Sequence, residues 1–333
     1  MRTYEIEAPG IDALSLKSRD VPKPARGQVL VRMKASALNY RDLLNVLNPE
    51  ARGIAYPRVP NSDGAGEVVE VGEGVTGFNA GDRVVATFFQ DWEGGRMSAG
   101  VMASALGGPI DGVLSEYAVF EARGLLPMPA HMSFEEAATL PCAALTAWNA
   151  LAEIGNLKAG ETVLLLGTGG VSIFALQFAR MHGARVIITS SSDEKLARAR
   201  EMGAWQTINY RQHPDWEQVV MEMTGGRGVD HVVEVGGAGT ITRSIEAVRV
   251  GGTVSMIGVL TEGALNPTAV MRKSVRLQGL YVGSRQMFER MNAAISTHEL
   301  HPVIDARFGF DEAREAFHHM EAAGHFGKIV VSI

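Results

Sequence analysis

Leu164-Leu165-Leu166-Gly167-Thr168-Gly169-Gly170-Val171-Ser172 is an apolar strand that runs into a glycine turn and then into a helix. The spacing of Gly167, Gly169 and Ser172 is G-x-G-x-x-[G/A] with a small serine in the last place. The first glycine permits a tight turn, and the second lets backbone approach a pyrophosphate. The helix that begins at Val171 then offers unpaired N–H groups and the positive end of its dipole to an anion. Such a motif is weak alone, but here it opens a longer series of strands and helices.

The series runs from about Met132. Candidate strands are 162–166, 186–189, 207–209, 231–235, 253–257 and 277–282, with helices at 171–182, 193–202, 215–224 and 240–248 between them. Gly183 and Gly203 follow the first two helices as C-cap glycines. Alternation of helices with uninterrupted apolar strands predicts a parallel, doubly wound sheet. Before about Phe120 the pattern differs. Val29, Val31, Met33 and Ala35 alternate with Leu30, Arg32 and Lys34, and short strands at 66–71, 83–88 and 115–120 are set off by glycine turns. That pattern predicts an antiparallel barrel or sandwich. A helix at 311–322 and a valine-rich strand after it predict a return to the first region.

The second strand of the parallel series selects the cofactor. An NAD site wants an acid near its tip to accept from the ribose 2′-hydroxyl. This chain offers Thr189-Ser190-Ser191-Ser192, followed by Asp193, Glu194 and Lys195. Small hydroxyls and a nearby lysine suit a 2′-phosphate, so NADP(H) is expected. Ser191-x-x-Glu194 reads equally as a capping box for the next helix, and Lys195 as a solvated helix residue.

Composition removes other classes. The 333 residues are 46% hydrophobic and 20% charged, with a net charge of −6 and no run of basic residues, which disfavours nucleic acid and anionic membranes. The acidic first residues and the single cysteine, Cys142, lead to the expectation of a cytoplasmic chain without a signal peptide or internal disulfide. Residues 1–130 hold neither cysteine nor histidine, so no metal site is expected. There is no H-E-x-x-H, G-x-S-x-G or G-x-x-x-x-G-K-[ST].

The whole chain resembles the medium-chain dehydrogenase/reductase superfamily, most closely its zinc-free quinone oxidoreductase and enoyl-reductase branches. The resemblance is carried by Ala37-Leu38-Asn39-Tyr40-Arg41-Asp42, Asp63-Gly64-Ala65-Gly66-Glu67-Val68-Val69, Gly81-Asp82-Arg83-Val84, Leu140-Pro141-Cys142-Ala143-Ala144-Leu145-Thr146-Ala147-Trp148 and Gly324-His325-Phe326-Gly327-Lys328-Ile329-Val330. It implies a GroES-like β-barrel catalytic domain at 1–126 and 286–333, and a Rossmann domain at 127–285. Zinc-bearing relatives place a cysteine where this chain has Asn39, a histidine near Ser62 and a third ligand at Cys142. Cys142 then reads as a packed apolar residue.

By the same resemblance, NADP(H) lies against Gly167, Thr168, Gly169, Gly170 and Val171. Ser190, Ser191, Lys195 and Tyr210 surround the adenosine phosphate. Asn39, Thr146, Gly258, Tyr281 and Val282 lie toward the nicotinamide, and Lys328 reaches the cofactor phosphates. Tyr210 reads equally as a sheet-edge aromatic, and Thr146 as a helix residue bonded to its own backbone. The expected reaction is hydride transfer from NADPH to a quinone or α,β-unsaturated carbonyl without zinc. Tyr40, Asn39 and Arg41 are the candidate donors, although Asp42 also suits a plain salt bridge to Arg41. The alternatives are an NADP-dependent alcohol or aldehyde dehydrogenase and a redox sensor without turnover. The aromatic stretch 88–95 reads either as a substrate cover or as an ordinary loop with one packed tryptophan. An apolar sheet edge at 277–282 leads to the expectation of a homodimer.

Overall fold

The computed structural model describes residues 1–258 and 260–333. The chain divides into two compact units, Met1–Leu145 with Val282–Ile333, and Thr146–Tyr281. No helix among the described residues is long and apolar enough to cross a membrane.

The first unit is built on Gln28–Leu38, a strand long enough to serve several partners. One side pairs antiparallel with Asp63–Val71. The other is shared, with Tyr117–Glu121 on residues 28–32 and Lys328–Ser332 on residues 35–38. Arg83–Ala86 and Leu125–Pro127 extend the sheet on one side. Ile304–Gly309 extends it on the other, parallel to Lys328–Ser332. The alternation read at 29–35 survives: Val29, Val31 and Met33 are buried with Val68, Val84, Leu106, Val113 and Phe120 in one cluster. A second cluster brings Leu38, Ile329 and Val331 against Leu43, Val46 and Phe317. Each such fully buried aliphatic side chain contributes about 1.5–3 kcal/mol.

The second unit is a six-stranded parallel sheet of Thr162–Leu165, Arg185–Ser190, Gln206–Asn209, Val229–Glu234, Val248–Met256 and Arg276–Gly279. Counted in chain order, they lie as 3-2-1-4-5-6. This is the doubly wound order in which a crevice opens where strand 1 lies beside strand 4. The strands are buried throughout at 162–165 and 229–234, as an apolar run covered on both faces requires.

Several expected limits shift. Residues 127–145 and 282–285 fall in the first compact unit. Helix Phe134–Ala138 packs on strands Gln28–Leu38 and Asp63–Val71, and the Arg285 amide donates to Trp92 O at 2.8 Å. The sixth strand ends at Gly279 rather than at 282, and Val282 beyond it takes a left-handed φ of 57°. The stretch 88–95 is no exposed cover. Phe88, Phe89 and Trp92 are buried, with Phe89 edge-on to both of the others, and Trp92 Nε1 donates to Gly95 O at 3.1 Å.

At the start of the fourth strand, Asp230 joins three segments of the second unit. Its carboxylate accepts from the Thr162 amide at 2.9 Å, from Arg227 at 2.6 Å and from Arg249 at 2.6 Å. Burial pushes this carboxyl up, but the Arg227 guanidinium, the Thr162 amide and Arg249 outweigh it and hold it well below the usual carboxylate range. Asp230→Ala leaves the strand amide and two guanidinium groups without their acceptor. It is expected to lower the free energy of urea unfolding by about 3 kcal/mol at neutral pH.

Candidate functional site

In the second unit the glycine motif forms the turn that its spacing requires. Gly167 has a φ of 70°, a conformation open to glycine but costly for most residues. Its amide donates to Thr189 Oγ1 at 3.3 Å. A Cβ built on either Gly167 or Gly169 would meet no atom within 4 Å, so bare backbone lies beside open space at the head of helix Gly170–Met181. Ser172 Oγ donates to Leu166 O at 2.7 Å, joining the helix to the strand that precedes it. Thr168 is buried, and Val171 is half-buried.

The tip of the second strand differs from the expectation in one residue. Ser192, not Ser191, caps helix Asp193–Glu201, accepting from the Lys195 amide at 3.3 Å. The strand runs on through Ser190, so the cap falls one place later and half-buried Ser191 does not serve as the N-cap. Tyr210 follows the third strand, its amide donating to Ser190 O at 3.1 Å and its side chain 41% exposed. Asp193 accepts from Asn209 Nδ2 at 2.7 Å and Gln212 Nε2 at 3.0 Å. That carboxylate is therefore already engaged by neighbouring amides.

Glu234, at the end of the fourth strand, was not foreseen. One of its oxygens accepts from the amides of Gly236 and Gly237 and from Thr240 Oγ1, while Ser244 donates to the other. This fully buried carboxylate fixes the loop that leaves strand 4 beside strand 1. Gly258 packs so closely on that loop that a Cβ would lie 1.9 Å from Val235 O. Thr146 is buried in the short helix Leu145–Trp148, and Tyr281 is 40% exposed.

The first unit holds a buried polar cluster around Asn39. Asn39 is the N-cap of helix Tyr40–Leu47, yet its side chain does not cap. The cap is completed from the other direction, by Asp42 Oδ2 accepting from the Asn39 amide at 2.9 Å. Asn39 Oδ1 instead accepts from Lys328 Nζ at 2.6 Å, and Lys328 also donates to Leu38 O at 2.6 Å. Lys328 is 3% exposed, so its ammonium is sealed into this cluster. Asn39 Nδ2 is buried and makes no close hydrogen bond. The Asp63 carboxyl is the acceptor it faces, and the Asn39 side chain helps to hold that carboxyl down against its burial.

Arg41 is engaged in the fold. Its Nη1 donates to Asp42 Oδ1 at 3.0 Å and to Leu106 O at 2.7 Å, and its guanidinium lies 4.8 Å from the Phe88 ring centre. Tyr40 is 43% exposed at the first position of the helix. Asp63, fully buried, accepts from Ser62 Oγ at 2.6 Å and from the Cys142 amide at 2.9 Å. Burial pushes its carboxyl up to about 6 against the pull of Lys328, and burial raises Asp42 as well. Burial also drives the Cys142 thiol far above its usual range, which keeps it protonated.

The residues do not suit zinc. Among the described residues no group of three or more His, Cys, Asp or Glu is arranged to hold a metal ion. A dinucleotide does fit the second unit, where the glycine backbone at 167–169 leaves the space that a pyrophosphate needs.

Residues 25–130 match the family model for the alcohol dehydrogenase GroES-like domain, and residues 170–297 match that for zinc-binding dehydrogenases. A zinc-type alcohol dehydrogenase-like protein of Schizosaccharomyces pombe is 44% identical over 98% of this chain and 97% of its own. A candidate alcohol dehydrogenase of Sinorhizobium meliloti 1021 superposes with a TM-score of 0.93 at 41% identity, over 100% of this chain and 98% of that one. An NAD-dependent alcohol dehydrogenase superposes with a TM-score of 0.91 at 33% identity, each chain covered in full. More distant likenesses are rat quinone oxidoreductase, 27% identical over 99% of this chain and 96% of its own, and a mycobacterial protein solved with NADPH, of TM-score 0.84 and 27% identity, with both chains covered in full.

The raised Asp63 carboxyl makes stability depend on pH. Its protonated form is favoured by folding, so its contribution is complete below about pH 4 and disappears as pH rises through about 6. The difference in unfolding free energy between the parent chain and Asp63→Asn should therefore move against the parent by roughly 3 kcal/mol between about pH 4 and pH 7. Urea titrations across that range measure it.

Proposed function

The chain is an oxidoreductase of the medium-chain dehydrogenase/reductase superfamily, and we propose that it reduces a quinone or an α,β-unsaturated carbonyl with NADPH, without zinc. The observation that carries this reading is the open glycine turn, where bare backbone at Gly167 and Gly169 lies beside open space at the head of helix Gly170–Met181.

A reduced nicotinamide supplies a hydride when bound. Gly167, Thr168, Gly169, Gly170 and Val171 hold the pyrophosphate through backbone N–H groups and the helix dipole. Ser190, Ser191, Lys195 and Tyr210 surround the 2′-phosphate. Free of the cap, Ser191 can donate to it, while Asp193 is held by Asn209 and Gln212. Thr146, Gly258, Tyr281 and Val282 shape the nicotinamide end, with Glu234 holding the adjoining loop.

Tyr40, exposed at the helix start, supplies the proton that completes the reduction. Arg41 holds the helix against Leu106 and acts on position rather than on protons. A conjugated acceptor suits this equipment, because its carbon is already electrophilic. A simple ketone or aldehyde asks for a stronger electrophile than these side chains supply.

The apolar side chains of Met256, Leu260, Met271 and Tyr281 are exposed in the region that carries the edge strand Arg276–Gly279. They support association of two copies along that edge, and light scattering should return the mass of a dimer.

Turnover should be seen with quinones or enones and NADPH, and be at least ~10-fold slower with simple alcohols and NADP⁺. Replacement Ser191→Asp places a carboxylate beside the 2′-phosphate, and should weaken NADPH binding by about tenfold while sparing NADH. Fluorescence titration with both nucleotides tests this, and equal affinities in the parent chain would remove the NADPH assignment.

A further inference from the structure

We propose that Ser172 and Thr189 are positioning residues for the nucleotide: between them they grip both ends of one peptide plane, Leu166–Gly167, and so hold the glycine turn in shape before a pyrophosphate arrives. This rests on the reading given above that a dinucleotide lies against that turn.

The carbonyl of Leu166 and the amide of Gly167 belong to one planar unit, and in a trans peptide they point to opposite sides. Ser172 Oγ donates to Leu166 O at 2.7 Å, while the Gly167 amide donates to Thr189 Oγ1 at 3.3 Å. A single peptide is thus held from the helix that follows the turn and from the neighbouring strand. Swinging the plane out of this orientation breaks both bonds. Little else restrains it locally, because Gly167, at a φ of 70°, has no Cβ to limit its rotation.

Both hydroxyls stand where an apolar side chain would satisfy burial. Thr189 follows buried Val186, Ile187 and Ile188 in strand Arg185–Ser190 and is itself 2% exposed. The parallel register sets Leu165 beside Ile188, so the next step along each strand brings the first peptide of the turn to Thr189. Ser172 is 1% exposed in the first turn of helix Gly170–Met181. It fills the motif position where a small residue allows helix and strand to approach closely, and its hydroxyl uses that approach. A buried hydroxyl costs free energy unless it is bonded, and these two are bonded to the same plane.

A turn that visits several orientations binds with an affinity reduced by the fraction of time it spends in the competent one. The two bonds keep that fraction high and lower the cost of ordering on binding. Because both nicotinamide nucleotides carry the pyrophosphate, the effect falls on NADPH and NADH alike.

Stopped-flow nucleotide fluorescence on the full-length variants Thr189→Val, Thr189→Ser and Ser172→Ala tests this. Thr189→Val keeps the side chain's shape and removes its hydroxyl. Thr189→Val and Ser172→Ala should each lower the association rate constant about fivefold for both nucleotides, with the dissociation rate constant within about twofold of the parent. Thr189→Ser, which retains the hydroxyl, should stay within about twofold of the parent in both constants. Urea unfolding reads the fold of each variant separately, and Thr189→Ala takes the place of Thr189→Val if the latter does not fold.

An association rate equal to the parent's in either variant lacking a hydroxyl would overturn the two-ended grip. An equal loss in Thr189→Ser would do the same, by tracing the effect to packing. So would a loss carried by faster dissociation, the mark of a hydroxyl that touches the nucleotide, or a loss confined to NADPH. A parent chain that binds neither nucleotide would overturn the dinucleotide reading itself instead.

Discussion

The pairing of Ile329 with Leu38 determines the chemistry of the first unit. That antiparallel register sets the end of one strand beside the point where another turns into a helix. Lys328 and Asn39, 289 positions apart in the chain, meet there in a buried hydrogen bond. Without this pairing neither Asp42 nor Asp63 has Lys328 as a neighbouring cation, and Asn39 reverts to an ordinary helix cap. The cluster is thus a product of strand order rather than of any local motif.

The second unit uses a different division of labour. One end of its sheet is held by Asp230, which ties the first strand to two arginines, and the other by Glu234, which shapes the loop leaving the fourth strand. Both are carboxylates buried at strand ends, but their surroundings differ. The first is matched by two guanidinium groups and is a structural ion pair. The second is matched by amides and hydroxyls, so it defines backbone shape. The open backbone at Gly167 and Gly169 remains available because these supports lie elsewhere.

Much of this was legible in the residues. The glycine turn reads correctly because its geometry is local: a positive φ at Gly167 and a small residue at 172 are dictated by neighbours within one turn. The parallel sheet and the returning strand were legible from apolar runs that demand burial on both faces. The helix cap at Ser192 was misplaced by one residue, since a run of serines offers several caps and the strand's end chooses among them. The buried bonds of Lys328 to Asn39 and Leu38 had no local signal, because those partners lie far away in the chain. Asp63 and Glu234 gave no signal of their own, for a buried acid is recognised only by the donors around it. Nor does the sequence reveal Val282, a branched residue held in a left-handed conformation by its surroundings.

The first unit is assembled from two separated stretches of chain, and this shapes its biosynthesis. Residues 35–38 wait for partners 291 to 297 positions downstream, while everything needed for the parallel sheet is translated in between. On the ribosome, a half-finished β-sheet with one raw apolar border must therefore persist while its neighbour matures. Such an intermediate is a natural client for holdase chaperones, and slow elongation late in the message would prolong its exposure to aggregation.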